Sequence, residues 1–225
     1  MAAVAEAMCE AREEGTEEEH NSYQEDVFDR HSPLFAEPGR TPPDVEERLQ
    51  RIARACRLTG ETTILDVATG TGALLPYFEA QGACLRHVTG VDLSGGMLGF
   101  ARERFPAATF VKEDVLKYTH PKGERFDRVV LNACFGNLWD QGLALQHVVE
   151  ALLKDGGLIV ISHPLGRKWL QDLQAQDPRM VRHPLPSRSD LQLLASRISP
   201  RLRVESFEED DGFYCGVLQL KRPRE

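Results

Sequence analysis

The sequence lacks the features that place a chain in a membrane or carry it across one. Its 225 residues contain no continuous apolar run of the ~18 residues that a membrane span needs. Residues 1–19 have neither the basic start nor the apolar stretch of a secretory signal, and they are too acidic for an organelle transit peptide. We therefore expect no membrane span and a cytoplasmic or nucleocytoplasmic location.

Metal-binding patterns are lacking as well. No two of the five cysteines are close enough to form a CxxC pair, and the seven histidines are equally scattered. We therefore expect no structural metal site. An odd number of widely spaced cysteines instead predicts free thiols in a reducing compartment.

An excess of basic residues is also missing. Residues 1–30 contain ten acidic and two basic residues, which leaves 25 of each sign in the rest of the chain. Because the rest is balanced, it lacks the basic surface of a nucleic-acid binder, and no nucleic-acid partner is expected. We interpret residues 1–21 as an acidic disordered tail, so truncation before Tyr23 should leave ligand binding intact.

Short apolar runs alternate with helical patterns through the middle of the chain. Strands are predicted at 62–67, 87–93, 109–111, 126–131 and 158–162. Helices are predicted from Pro42 to Thr59 and at 71–80, 94–105 and 142–153, with a turn at 155–157. This alternation predicts an α/β fold with a doubly wound, mostly parallel sheet. After helices at 167–176 and 190–198, strands at 203–207 and 213–220 predict an antiparallel strand pair at the end of the sheet.

The strongest functional signal is the turn after the first long strand. Residues 65–72 read LDVATGTG, and the two glycines permit a tight turn and close approach of a ligand. The predicted helix that follows offers unpaired N–H groups to such a ligand. Asp92 ends the next strand, 22 residues after Gly70, where a carboxylate accepts hydrogen bonds from ribose hydroxyls. Capping of the following helix is the structural alternative for Asp92.

The glycine spacing distinguishes between nucleotide ligands. A pyrophosphate-binding turn has the pattern GxGxxG, and counting from Gly70 places Leu75 at the third glycine. A ligand with a ribose but no pyrophosphate is therefore favoured over NAD or FAD.

Five segments in this order resemble the motifs of class I S-adenosylmethionine-dependent methyltransferases over residues 60–163. They are LDVATGTG at 65–72, GVDLS at 90–94, KEDV at 112–115, FDRVVLN at 126–132 and LKDGGLIV at 153–160. The nearest subgroup resembles the methyltransferases of ubiquinone and menaquinone biosynthesis, and residues 23–35 are similar to their N-terminal lid. Two departures stand out: Ala68 replaces a glycine, and Gly95-Gly96 opens a helix where helix formers are commoner.

The resemblance implies one methyltransferase domain over 22–225, with S-adenosylmethionine as its cofactor. Residues 22–58 would form the lid and first helix, 60–163 the cofactor-binding core, and 164–225 a substrate-covering cap with the last strands. The implied cofactor residues are Asp66, Ala68, Gly70, Gly72, Asp92, Leu93, Asp114, Val115 and Asn132. Asp92 would hold the ribose, Leu93 and Asp114 the adenine, and Asn132 would lie near the methyl group.

The implied chemistry is an in-line displacement, in which placing the acceptor supplies most of the catalysis. His163 follows the fifth strand and is the first candidate for a general base, with a packing histidine as the alternative. Replacing His163 with alanine should then lower turnover more than cofactor affinity. Arg167 is a candidate anion-binding residue and His31 a candidate lid residue, and both have solvated surface positions as alternatives.

The acceptor is less well defined. Asn132 is followed by Ala133-Cys134-Phe135 rather than Pro-Pro-Tyr, which disfavours nucleic-acid bases and amides as acceptors. Phe28, Phe135 and Trp139 could wall an aromatic pocket. Six arginines in 179–203 indicate either an anionic substrate or ion pairs with the acidic residues of 205–211. A small molecule is the leading acceptor. A protein substrate, a non-catalytic partner subunit and a nicotinamide oxidoreductase are the alternatives.

Overall fold

A computed structural model describes residues 15–37, 39 and 41–223 of the chain. Seven strands of this described part form one sheet: β1 (Ile64–Val67), β2 (Val88–Asp92), β3 (Thr109–Lys112), β4 (Phe126–Asn132), β5 (Leu153–His163), β6 (Leu202–Asp210) and β7 (Phe213–Leu220). Their order in the sheet is β3-β2-β1-β4-β5-β7-β6. β1 to β5 pair in parallel, and β7 lies antiparallel between β5 and β6. The predicted doubly wound, mostly parallel sheet with an antiparallel end is therefore confirmed.

Helices cover both faces of this sheet. They are α1 (Glu17–Ala36), α2 (Pro43–Ala55), α3 (Leu75–Ala80), α4 (Gly95–Arg104), α5 (Gln141–His147), α6 (Gly166–Gln176) and α7 (Arg188–Ile198). Several begin at side-chain caps, among them Ser94, whose hydroxyl accepts a hydrogen bond from the Met97 N–H at 3.0 Å. Within the described residues, no helix is both long and apolar enough to span a membrane.

The central strands are buried on both sides. Leu65 and Val67 of β1 pack into the apolar layer on one face of the sheet. Ile64 of the same strand packs into the apolar layer on the opposite face. Ile159 and Val160 of β5 divide between the two layers in the same way. Because consecutive strand residues point to opposite faces, two helical layers are needed to cover them.

Three predicted boundaries differ from the structure. The segment at 155–157 is not a separate turn: it lies within β5, where pairing with β4 shifts register and Gly156 has φ +84°. The helix predicted at 71–80 begins only at Leu75, because Gly72 adopts φ +80° and Pro76 suits a first turn. The helix predicted at 142–153 ends as α5 at His147 and continues as one π turn.

The predicted boundary of the acidic tail at residue 21 falls inside α1. Thr16 and Glu19 form a capping box, in which each side chain accepts a hydrogen bond from the other's backbone N–H. The next turn contacts the rest of the domain: His20 donates to the Asn137 carbonyl at 2.6 Å and Asn21 donates to the Asp114 carboxylate at 2.7 Å. Residues 17–21 are therefore part of a docked helix, and residues 1–14 lie outside the described part.

We therefore predict that two N-terminal truncations behave differently. A chain that starts at Thr16 keeps the capping box, His20 and Asn21, whereas a chain that starts at Tyr23 loses them and two hydrogen bonds to the core. Thermal unfolding should show the shorter chain less stable than the longer one by roughly 1–3 kcal/mol. Equal stabilities would show that the first turn of α1 contributes nothing to the fold.

Candidate functional site

A cavity opens at the carboxyl edge of the sheet, where the segments after β1, β2, β3 and β4 meet beneath α1. Its volume of about 230 Å³ greatly exceeds the ~30 Å³ share of one water, so a molecule of many atoms fits. The lining residues from the core of the domain are Asp66–Thr71, Ala73, Leu74, Val91, Asp92, Leu93, Met97, Glu113–Leu116, Asn132–Cys134 and Asn137–Trp139. Ligands of open α/β sheets bind at this edge.

The turn after β1 forms the floor of the cavity. Ala68 and Gly70 both have left-handed backbones, with φ +52° and +57°. A side chain at Gly70 would meet no atom within 4 Å, so this position leaves open space beside the turn. Gly72 has φ +80° but does not line the cavity: a Cβ there would lie 2.8 Å from the Phe105 ring. The role implied for Gly72 in ligand contact is therefore replaced by close packing on Phe105.

Asp92 joins the turns that follow β1 and β2. One carboxylate oxygen accepts the Gly70 N–H and the other accepts the Ser94 N–H, each at 2.8 Å. The side chain is buried at the cavity wall, and burial raises the pKa of its carboxyl. Each oxygen keeps a lone pair for a further donor, such as a hydroxyl.

Asp66 is the second buried carboxylate of the cavity. The Thr69 hydroxyl donates to it at 2.6 Å. Burial raises the pKa of Asp66 to about 7, against the opposing effect of that hydrogen bond and with a smaller contribution from nearby Asp92. Two buried carboxylates that resist ionisation in one cavity favour a ligand with positive charge.

A mixed polar and apolar compartment lies beyond Asp92. One oxygen of Asp114 accepts the Leu116 N–H at 2.9 Å, and the other accepts from the Asn21 amide of α1. Leu93 and Val115 also line this part of the cavity. The arrangement suits a flat heterocycle with an amino group, which stacks on apolar side chains and donates to a carboxylate.

The opposite end of the cavity is built from the segment after β4. Asn132 is held by Ser162, whose hydroxyl donates to its side-chain oxygen at 3.0 Å. Trp139 packs with the Arg182 guanidinium 3.8 Å from the centre of its ring and with the His20 ring 5.8 Å away. Trp139 and Phe28 line the cavity as the sequence suggested, but Phe135 does not, because it is fully buried in the core.

Helix α1 forms the roof. It contributes four lining residues, Asn21, Gln24, Phe28 and Phe35. Their spacing of three, four and seven residues places them on one face of a helix, and this was the signal available in the sequence. Asn137 and Leu138 were also missed, and as loop residues they carry no periodic signal.

Comparisons with known proteins agree with this geometry. Residues 64–157 match the model of a family described as a methyltransferase domain. A solved Haloferax volcanii methyltransferase in complex with the Trm112 activator has the same fold, with a TM-score of 0.71 over 90% of this chain and 98% of that chain at 14% identity. The magnesium protoporphyrin IX methyltransferase of Synechocystis was solved with bound S-adenosylhomocysteine (SAH). It superposes with a TM-score of 0.64 over 91% of this chain and 100% of that chain, at 16% identity.

Residues 64–157 thus match a methyltransferase domain, and the whole sheet has the fold of solved methyltransferases.

Curated relatives point to the subgroup that the motifs suggested. Trans-aconitate 2-methyltransferase of Paracidovorax citrulli is 32% identical over 148 residues, which are 63% of this chain and 54% of that protein. The ubiquinone/menaquinone biosynthesis C-methyltransferase UbiE of Campylobacter jejuni is 27% identical over 108 residues, 46% of each protein. The chain spans about half the length of the curated relatives it matches.

The three candidate catalytic residues do not line the cavity of the methyltransferase domain. His163 is buried against Trp169, with ring centres 5.3 Å apart, and burial lowers its pKa to about 4. Arg167 pairs with Glu209 at 2.9 Å, and the ring of His31 bonds the Val27 carbonyl of its own helix. Packing accounts for His163 and a surface position for His31, whereas Arg167 forms a partly buried ion pair instead of the solvated position given as its alternative. Replacement of His163 is now expected to affect stability first.

The arginine-rich stretch also differs from expectation. The acidic residues of β6 pair with arginines from other elements: Arg57 with Glu205, Arg51 with Glu208, and Arg167 with Glu209. Within 179–203, Arg201 pairs with Asp155, while Arg179 and Arg182 lie over the rings of Tyr23 and Trp139. Arg182 therefore packs on Trp139, which lines the cavity, and Arg179 packs on Tyr23 of α1.

Ala68 occupies a left-handed position that favours glycine, at a cost of roughly 1 kcal/mol. We predict that Ala68→Gly leaves the free energy of unfolding unchanged or raises it by up to ~1 kcal/mol, because relief of strain opposes the greater freedom of the unfolded chain. Urea denaturation measures the change. Ala73→Gly is the matched control: this exposed alanine has no positive φ, so it should lose ~0.5–1 kcal/mol. Equal losses in both variants would contradict the prediction.

The raised pKa of Asp66 predicts a pH dependence of stability. Between pH ~4 and about 7 the folded chain binds more protons at this site than the unfolded chain, so the free energy of unfolding falls as pH rises through that range. A shift from the ordinary value of 3.8 to about 7 corresponds to at most ~4 kcal/mol. The urea midpoints of wild type and Asp66→Asn, measured from pH 4.5 to 8, test this. The midpoint should fall less with rising pH in the variant than in wild type, and parallel curves would contradict a raised pKa of Asp66.

Proposed function

We propose that this chain binds S-adenosylmethionine in the cavity and transfers its methyl group to a small-molecule acceptor. The observation that carries the proposal is one continuous cavity with two different ends. Asp92 and Asp114 lie at one end, Asn132 and Trp139 lie at the other, and Asp66 lies in the same cavity. A donor and an acceptor can therefore meet inside it.

The residues present fit the donor. Asp92 keeps a free lone pair on each oxygen for the ribose hydroxyls, and Asp114 with Leu93 suits the adenine. The open space beside Gly70 admits the amino-acid part, and the buried carboxylate of Asp66 offers a counter-charge to its positive groups. That the Synechocystis methyltransferase was solved with SAH supports the same donor class here.

The chain's own contribution is mainly placement. The bound donor supplies a methyl group that its sulfonium already activates. Asn132, fixed by Ser162, and Trp139, fixed by Arg182, give the acceptor end of the cavity rigid walls. Phe28 and Phe35 of the α1 roof line the cavity on its α1 side. Holding two reactants in line in this way is worth ~7–11 kcal/mol in favourable cases, and no general base is required unless the acceptor must lose a proton.

The walls favour an uncharged or cationic acceptor with an apolar or aromatic surface. Among the described lining residues, the charged side chains are the carboxylates of Asp66, Asp92, Glu113 and Asp114. Phe28, Leu138 and Trp139 supply apolar area to the cavity. An aromatic acceptor is therefore favoured over an anionic one.

A protein acceptor is the second candidate. The neighbour from Haloferax volcanii was solved together with the Trm112 activator, so a protein can approach this fold, which leaves a protein acceptor open. A side chain delivered by a protein would have to enter the same cavity beneath α1. A non-catalytic donor-binding subunit would bind the donor but transfer nothing.

Donor binding is tested by titration calorimetry with SAH and NAD. We expect SAH to bind and NAD not to bind. Asp92→Asn should weaken SAH binding by about tenfold or more, because one of the two hydroxyl acceptors is lost. The exposed Asp172→Asn is the matched control and should leave the affinity unchanged. No SAH binding by the folded wild type would refute the proposed function.

Acceptor class is tested by a turnover screen with radiolabelled methyl donor. Matched aromatic amines, aromatic acids and a protein extract separate the candidates, and labelling of an uncharged or cationic small molecule is the expected result. If only proteins are labelled, the acceptor is a protein and not a small molecule. Donor binding with no transfer to any class would favour the non-catalytic subunit.

A further inference from the structure

Helix α1 is fastened to the beginning of α4 by Asp29. One oxygen of the Asp29 carboxylate accepts the Ser94 hydroxyl at 2.5 Å and the Gly96 N–H at 2.8 Å. The hydrogen bond from Ser94 lowers the pKa of Asp29, so its carboxyl stays ionised beside the positive end of α4. This contact lies on the flank of α1, next to the face that roofs the cavity.

Steric fit provides a second, independent sign of this contact. A Cβ at Gly96 would lie 2.9 Å from the Ser32 hydroxyl oxygen and 3.1 Å from the Asp29 carboxylate. A side chain at Gly96 would therefore force the Ser32 and Asp29 side chains to move from their present positions. The glycine that departs from the usual helix start thus leaves room for the two α1 side chains that contact α4.

The same serine connects α1 to the proposed donor site. The Ser94 backbone N–H donates to Asp92 at 2.8 Å, while its hydroxyl donates to Asp29 and accepts from the Met97 N–H. Both hydrogen-bonding roles of the hydroxyl are used, so the Ser94 turn has one fixed orientation. Asp29 consequently acts on the Asp92 carboxylate through one residue.

Other contacts on this flank are weaker. Glu25 pairs with Lys112 at 2.6 Å, but both side chains are more than one-third exposed. Ion pairs in that setting contribute little, since water screens them and the long side chains lose freedom. Asp29 is also exposed, but its carboxylate accepts two hydrogen bonds, one of them from the buried Ser94. It is therefore the main polar contact between α1 and α4 among the described residues.

We propose that Asp29 is a positioning residue that latches the α1 roof over the donor and so sets how long the donor stays bound. The inference rests on the proposed donor site. The latch acts in two ways: it holds the roof residues Phe28 and Phe35 over the cavity, and it fixes the Ser94 turn that orients Asp92. Release of the latch opens the roof on the side where the ribose lies.

Stopped-flow dissociation of SAH, followed by the fluorescence of Trp139 and Trp169, tests the latch. Asp29→Ala should release SAH about tenfold faster and raise the KM for the donor, with kcat changed much less. Asp29→Asn keeps an acceptor oxygen and should fall between Ala and wild type. Asp26→Ala is the matched control, because Asp26 is an exposed residue of the same helix whose partner among the described residues is Arg30, one turn away. Unchanged dissociation in Asp29→Ala would overturn the proposal.

Hydrogen exchange of the ligand-free protein tests the latch without any donor. Amides of residues 17–36 should exchange faster in Asp29→Ala and in Gly96→Ala than in wild type and Asp26→Ala, while the sheet strands exchange as in wild type. Equal exchange of α1 in all four proteins would overturn the latch even if SAH binds. If wild type binds no SAH, both the proposed function and the effect of Asp29 on donor binding are refuted. Faster exchange of α1 in Asp29→Ala would then show only that Asp29 holds α1 against α4.

Discussion

The carboxylate of Asp92 is the contact on which the site depends. It ties the turn after β1 to the turn after β2 by accepting the Gly70 and Ser94 N–H groups. Parallel pairing of β1 and β2 in register brings those two turns side by side, so the sheet itself creates the place for this acid. The cavity floor, the start of α4 and, through Ser94, the seating of α1 all follow from it.

Burying acids in this position destabilises the empty domain. Asp66 and Asp92 both lie at the cavity wall with raised pKa values, and hydrogen bonds from Thr69, Gly70 and Ser94 offset only part of the desolvation. A ligand that brings positive charge and hydroxyl groups would supply the missing stabilisation. Binding of such a ligand would stabilise the folded domain by offsetting the desolvation of these two carboxyl groups.

The fold was readable because its signals are local and repeated. Short sequence patterns mark the buried strands β1 and β2, the Ser94 cap and the antiparallel strand β7. Every residue implied for the cofactor except Gly72 lines the cavity. Long-range packing left no such pattern. Phe105 behind Gly72, Trp169 beside His163 and the docking of α1 from Glu17 depend on contacts between distant segments, so sequence reasoning misplaced them.

Helix α1 comes before every other described helix in the chain, yet it bonds residues that are made much later. Tyr23 bonds Asp177, and Gln24 bonds the carbonyls of Arg179 and Met180, separations of 154 to 156 residues. During synthesis α1 has no complete surface to dock on until most of the chain has emerged. Docking of α1 is therefore a late step in folding, because its contacts with Asp177, Arg179 and Met180 can form only after that part of the chain has been made.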